Sequence, residues 1–218
     1  MRAYLNLRRG IPERESAVIS GLKRVGDPDC FVTWNRIGPG ERIANEYESA
    51  GRLVFVMENA AWGNDFMGER WYTLALYSHN TGCNRYDSDR WDSLGAELKP
   101  WRTSGETVVL GQRGIGANQC PPGWAERQKG RLRRHPGKDY AIPLEQDLKN
   151  CGKVITWGSG AAIKACMWGI PVESHLQSWV GAHQPNDESR LEMLRHLAYR
   201  TWRLSEIASG EAFDHFLK

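Results

Sequence analysis

Residues 154–172, VITWGSGAAIKACMWGIPV, constrain the fold more than any other stretch of the chain. Val154, Ile155 and Thr156 form a short β-branched run, which predicts a buried strand. Trp157, Gly158, Ser159 and Gly160 then turn the chain, and the two glycines permit backbone angles that other residues avoid. Residues 161–168 are good helix formers, stopped by Gly169 and Pro171, and 170–172 open a second strand. Strand, glycine turn and helix in that order make one βαβ unit. Its helix start offers amide N–H groups and a helix dipole to an anion, and Ser159 adds a hydroxyl. The same pattern equally describes an ordinary crossover with a tight turn and no ligand.

The remainder of the chain repeats this grammar. A strand at 3–7, a helix at 14–24, a strand at 30–34, a helix at 41–50 and an apolar strand at 53–57 predict a parallel α/β sheet. The polar stretch 58–65 (ENAAWGND) follows a strand, where an open α/β sheet places ligands. A strand at 72–77 leads to a second polar stretch at 78–82, and the two are expected to form one acceptor site. Residues 85–101 are irregular and read as a lid or linker. A second half begins with the strand 107–110, followed by Gln112 and Arg113, a helix at 125–131, and a short helix at 144–150. Leu191, Leu194, Leu197, Trp202 and Leu204 predict one long amphipathic helix over 187–207. The expected division is 1–100 and 101–218.

Composition narrows the class. With 218 residues, 40% hydrophobic and 25% charged, the chain can bury a core without staples. No run approaches the roughly 18 apolar residues of a membrane span, and the start lacks a signal-peptide pattern, so a cytoplasmic protein without membrane partners is expected. Cys30, Cys83, Cys120, Cys151 and Cys166 are irregularly spaced, with no CxxC pair, and read as free thiols rather than a zinc site. The net charge is +3, yet basic residues crowd between Arg127 and Lys138. Such a run is either a solvated face or a phosphate contact through Arg131, Arg133 and Arg134. Ten tryptophans are the compositional oddity, serving as core or as a stacking surface.

The segment 154–172 resembles the C-terminal nucleotide-sugar unit of GT-B glycosyltransferases of the capsule-polysaccharide type. A wider set covers roughly residues 53–175: Glu-Asn after an apolar strand, His-Asn after the next, then Gln-Arg, His-Pro-Gly and the WGSG turn. That ordered set resembles phage-encoded glycosyltransferases associated with hypermodification of hydroxymethylated pyrimidines in DNA. The resemblance implies an α/β fold, a compact GT-B-like pair of Rossmann-like parallel-sheet halves with a long C-terminal helix. It implies a nucleotide-sugar donor (a UDP-sugar), a DNA acceptor carrying a hydroxymethylpyrimidine, and a bacteriophage setting in the host cytoplasm.

Glycosyl transfer needs the leaving diphosphate neutralised, the acceptor hydroxyl deprotonated and water excluded. Trp157, Gly158, Ser159 and Gly160, with Arg113 and His135, are the expected diphosphate contacts, and Gln112 would orient the base or ribose. Glu58, Asp65 and His79 are the candidate general bases. A metal-independent mechanism is expected. Two other readings stay open: transfer to a polysaccharide or small molecule, and a non-catalytic nucleotide-binding α/β protein.

Overall fold

The computed structural model describes residues 4–7, 11–77, 89–112, 119–135 and 142–218. The chain divides into two compact units, Met1–Tyr86 with His196–Lys218, and Asp87–Arg195. The fold is mixed α/β with two sheets in which parallel pairing predominates. Among the described residues, no helix is long and apolar enough to cross a membrane.

The first unit opens with β1 (Tyr4–Asn6), α1 (Pro12–Arg24), β2 (Cys30–Trp34), α2 (Pro39–Ser49) and β3 (Leu53–Asn59). β1, β2 and β3 are parallel, as the βαβαβ pattern predicts. β2 and β3 carry apolar residues on both faces because helices cover both. Val32, Phe55 and Met57 pack with α1, whereas Phe31, Val54 and Val56 pack with Ala44 of α2. Gly21 of α1 is a close-approach position: a Cβ there would sit 1.9 Å from the Ile207 carbonyl oxygen.

Two expectations fail in this unit. β4 (Trp71–Leu76) pairs antiparallel with β3, so the sheet is mixed. The long C-terminal helix is interrupted, and the helix beginning at Asp187 ends at Ala198. β9 (Thr201–Arg203) then pairs antiparallel with β4. Thr201 and Trp202 suit a strand, and both are buried where they satisfy the outer ladder of β4. The Glu206 carboxylate accepts the Arg203 backbone N–H at 2.6 Å and restarts a helix over Leu204–Ser209, followed by another over Glu211–Leu217. The segment His196–Lys218 therefore belongs with the first unit, not with the second half in which the expected division put it.

The second unit contains α3 (Asp89–Asp92), β5 (Glu106–Leu110), β6 (Arg131–Arg133), α4 (Leu144–Asp147), β7 (Cys151–Thr156), α5 (Ala161–Met167), β8 (Val172–Ser174) and the start of α6 (Asp187–Ala198). α7 (Leu204–Ser209) and α8 (Glu211–Leu217) are the two later helices of the first unit. All pairs of the second sheet are parallel, in the order β6-β5-β7-β8. The helix expected over 125–131 is a 3₁₀ turn, Ala125–Arg127, followed by a strand. Leu132 turns toward Val109, Trp124 and Ile155, while its neighbours Arg131 and Arg133 point to the other face by strand alternation. The described part of the expected linker is tied into this unit. Trp91 is buried, and the Lys99 and Arg102 amides donate to the Met167 and Gly169 carbonyls.

The tryptophans are largely structural. Six of the ten are 5% exposed or less, and Trp34, Trp101, Trp157 and Trp168 are half-buried. The stacking surface allowed by composition is therefore not built from freely exposed indoles.

Candidate functional site

The order β6-β5-β7-β8 contains a reversal. From β5 the chain moves outward to β6, and from β7 it moves outward the other way to β8, so the connections leaving the two central strands diverge. Such a divergence opens a crevice at the carboxyl ends of the adjacent strands, the usual ligand position in open α/β sheets. Gln112, half-buried, lies two residues past β5, and Trp157, Gly158, Ser159 and Gly160 lie immediately past β7. His135, exposed, lies two residues past β6. The sheet thus brings these predicted donor residues to one edge. Arg113 lies outside the described residues.

The turn itself differs from the expected anion cradle. The buried Thr156 hydroxyl accepts the Gly158 and Ser159 amides at 3.2 and 2.9 Å, and the Ser159 hydroxyl accepts the Ala161 amide at 3.3 Å. The amides of Ala162 and Ile163 reach the Ser159 and Gly160 carbonyls. These N–H groups are consumed by the turn and cannot also hold a phosphate. Gly160 is exposed, and a side chain built on it would meet open space. Gly158 requires its glycine, with φ of 108° and a Cβ position 2.6 Å from Leu176, whereas Gly160 has an ordinary helical φ of −60°.

Sequence reasoning missed the aromatic wall beside this turn. Trp124 stands edge-on to Trp157, with ring centroids 5.7 Å apart, and edge-on to His175 at 5.2 Å. The Trp124 indole N–H donates to His175 Nδ1 at 3.0 Å, and His175 Nε2 meets Glu173 Oε1 at 2.9 Å. Lys153 closes the chain, 2.6 Å from Glu173. Lys153 and His175 together hold the Glu173 carboxyl below its ordinary pKa. The available signal was a histidine just beyond a parallel strand, in VESH.

Two arginines of the basic run are paired within the fold. Arg131 forks onto Glu106 at 2.9 and 2.8 Å and reaches Asp147 Oδ1 at 2.9 Å. These contacts raise the Arg131 pKa and lower that of Glu106. Arg133, only 5% exposed, meets Asp147 Oδ2 at 3.1 Å and the Ile142 carbonyl at 3.1 Å. Arg131 and Arg133 are thus structural cations rather than a free phosphate-binding face, and Arg134 remains exposed.

In the first unit, Glu58 occupies β3 opposite Thr73. Its Oε1 accepts the Asn59 amide at 2.8 Å and Asn59 Nδ2 at 3.0 Å. The Asn59 Oδ1 takes Asn64 Nδ2 at 2.9 Å, and Asn64 Oδ1 takes the Ala60 amide at 2.8 Å, so this loop is braced by its own side chains. Asp65 projects outward, its side chain 77% exposed, and pairs with Arg70 at 2.9 Å. The second polar stretch, 78–82, lies outside the described residues. Asn59 pairs with Tyr72 at one edge and Phe55 with Leu76 at the other, so the ends of β3 and β4 face opposite edges of the sheet. His79 lies outside the described residues.

Among the described residues, no group of three or more His, Cys, Asp or Glu side chains is placed to hold a metal ion. No protein-family model matches this chain, and no curated protein does.

Proposed function

We propose that the chain is a nucleotide-sugar-dependent glycosyltransferase acting on the hydroxymethyl group of a modified pyrimidine in DNA. The observation that carries the donor half is the divergence between β5 and β7, which sets Gln112 and residues 157–160 on one carboxyl edge. With the Gly158, Ser159 and Ala161 amides engaged internally, the diphosphate would rely chiefly on side chains, the Ser159 hydroxyl and the exposed Arg134 and His135 past β6. β6 and β7 flank β5, so a ligand touching both spans about 10 Å, two strand spacings. A nucleoside diphosphate covers that distance and a lone phosphate does not.

In the reaction the acceptor oxygen forms a bond to the anomeric carbon as the carbon–oxygen bond to the diphosphate breaks. The hydroxyl proton passes to a carboxylate, for which Glu58 is the candidate with the better-defined position. The nucleoside diphosphate departs with the bonding pair. The DNA acceptor and the UDP-linked donor rest on the sequence resemblance alone.

The test is mass spectrometry of nucleosides from hydroxymethylated DNA incubated with the protein and a panel of UDP-, GDP- and TDP-sugars. A pyrimidine nucleoside heavier by one sugar residue is expected. Glu58→Gln should reduce the rate by about 10²–10⁴ with donor affinity retained. Donor binding without transfer to any acceptor would replace this reading with the non-catalytic nucleotide-binding one.

A further inference from the structure

We infer that His175 is a positioning residue of the proposed donor site, holding Trp124 against Trp157 through a neutral ring protonated on Nε2. The inference rests on the donor reading for its functional consequence. Its geometry stands on the second unit alone.

An indole N–H is a donor and never an acceptor. Because Trp124 Nε1 lies 3.0 Å from His175 Nδ1, that nitrogen must present its lone pair. The ring proton then resides on Nε2 and is donated to Glu173 Oε1 at 2.9 Å. Glu173 from β8 and Lys153 from β7 are the charged groups on this side of the ring. The 3₁₀ turn side contributes the neutral indole of Trp124. Both ring nitrogens are therefore engaged, which removes His175 as a general base and leaves it a mechanical role.

Three tethers converge on the end of β8. The His175 amide donates to the Thr156 carbonyl at 2.9 Å, extending the ladder with β7. The hydroxyl of the same Thr156 holds the Gly158 and Ser159 amides. The next residue, Leu176, packs where a side chain on Gly158 would be. The His175 ring adds the third tether by fixing the Trp124 indole, whose edge-on contact orients Trp157 at the start of the turn. Losing the Nδ1 acceptor leaves a buried indole N–H unsatisfied, and Trp124 must shift to find a partner. Trp157 and the glycine turn shift with it.

The experiment compares wild type, His175→Leu and His175→Asn by UDP calorimetry and by the indole ¹H–¹⁵N signals of Trp124 and Trp157. Leucine removes the acceptor, whereas the asparagine side-chain oxygen reproduces it near the Nδ1 position. The leucine variant is expected to move both indole signals and weaken UDP binding about ten-fold, and asparagine to restore both. A folded leucine variant with unmoved Trp157 signal and wild-type affinity would overturn the inference, as would a folded asparagine variant that restores neither. Should the leucine variant not fold, rescue by asparagine measured against His175→Gln decides in the same way. If wild type binds no UDP, the donor reading fails separately, and the Trp157 signal alone decides the positioning role, an unmoved signal overturning it.

Discussion

Asp147→Asn is the sharpest probe of the basic run. The Asp147 side chain is 7% exposed and bridges Arg131 and Arg133, whose side chains are 40% and 6% exposed. The asparagine keeps the shape and one acceptor but removes the charge beside a buried guanidinium. The Arg131 contact is screened by solvent and shared with Glu106, so it contributes little to the loss. The Arg133 contact is the expensive one, because breaking a buried pair typically costs about 3–5 kcal/mol. Retention of the amide acceptor and of the bond from Arg133 to the Ile142 carbonyl puts the expectation at the low end, about 3 kcal/mol. In urea, with a slope of about 2 kcal/mol/M, the midpoint should fall by about 1.5 M at unchanged slope. Arg134→Gln, changed at an exposed position, should stay within about 0.5 kcal/mol of wild type. An Asp147→Asn variant that unfolds at the wild-type urea concentration would refute the assignment of Arg133 to the fold.

Gly21→Ala should destabilise the first unit by at least about 1–3 kcal/mol in urea unfolding, because the new methyl meets the Ile207 backbone oxygen. Burial pushes the Cys30 and Cys166 thiols up to about 12, and burial also raises Cys151. Peptide mapping after alkylation at neutral pH should find these three protected in the native protein and labelled once it unfolds, while half-buried Cys120 reacts sooner. Lys153 and His175 depress Glu173. The stability this carboxylate contributes is present above its unfolded pKa of about 4.3 and is lost as pH falls through the lower folded value. Glu173→Gln should therefore lose less stability than wild type on acidification through that window, measured by urea midpoints across pH.

The elements that were legible are those whose own residues decide them. β2, β3, β5 and β7 are apolar and β-branched, and α1, α2 and α5 are bounded by Gly or Pro, so local pattern suffices. The direction of β4 was not legible, because the apolar, almost wholly buried run Trp71–Leu76 reads the same for either orientation against β3. The break at Tyr199–Arg200 was hidden for a related reason. Leu197, Trp202 and Leu204 keep an approximate helical spacing, and only the open ladder of β4 explains why Thr201–Arg203 becomes a strand. The role of Arg131 and Arg133 needed Asp147, fourteen residues or more away in sequence, and a window of adjacent residues sees only their like charge. The edge proposed for the donor was legible as a strand and turn, but the use of its amides was not. That depends on the rotamer of Thr156, which sequence does not display.

The geometry also separates the candidate bases that sequence left level. A general base is effective only when held within hydrogen-bond reach of the proton it takes, and a freely swinging carboxylate loses much of that advantage. Glu58 sits in a strand paired on both sides, with β2 reaching Met57 and β4 reaching Glu58 and Asn59. Two donors from Asn59 fix one of its oxygens, and Asn59 is itself braced by Asn64 and by the Thr73 hydroxyl on its carbonyl. Asp65 has one exposed partner, Arg70, beside a 3₁₀ turn whose Met67 adopts a left-handed φ of 52°. The opposed ends of β3 and β4 remove the argument that joined the 58–65 stretch to the one after residue 77. Under the proposed glycosyl transfer, the acceptor chemistry within the first sheet would fall to the carboxyl end of β3, with Glu58 as the base and Asn59 as the residue that aims it.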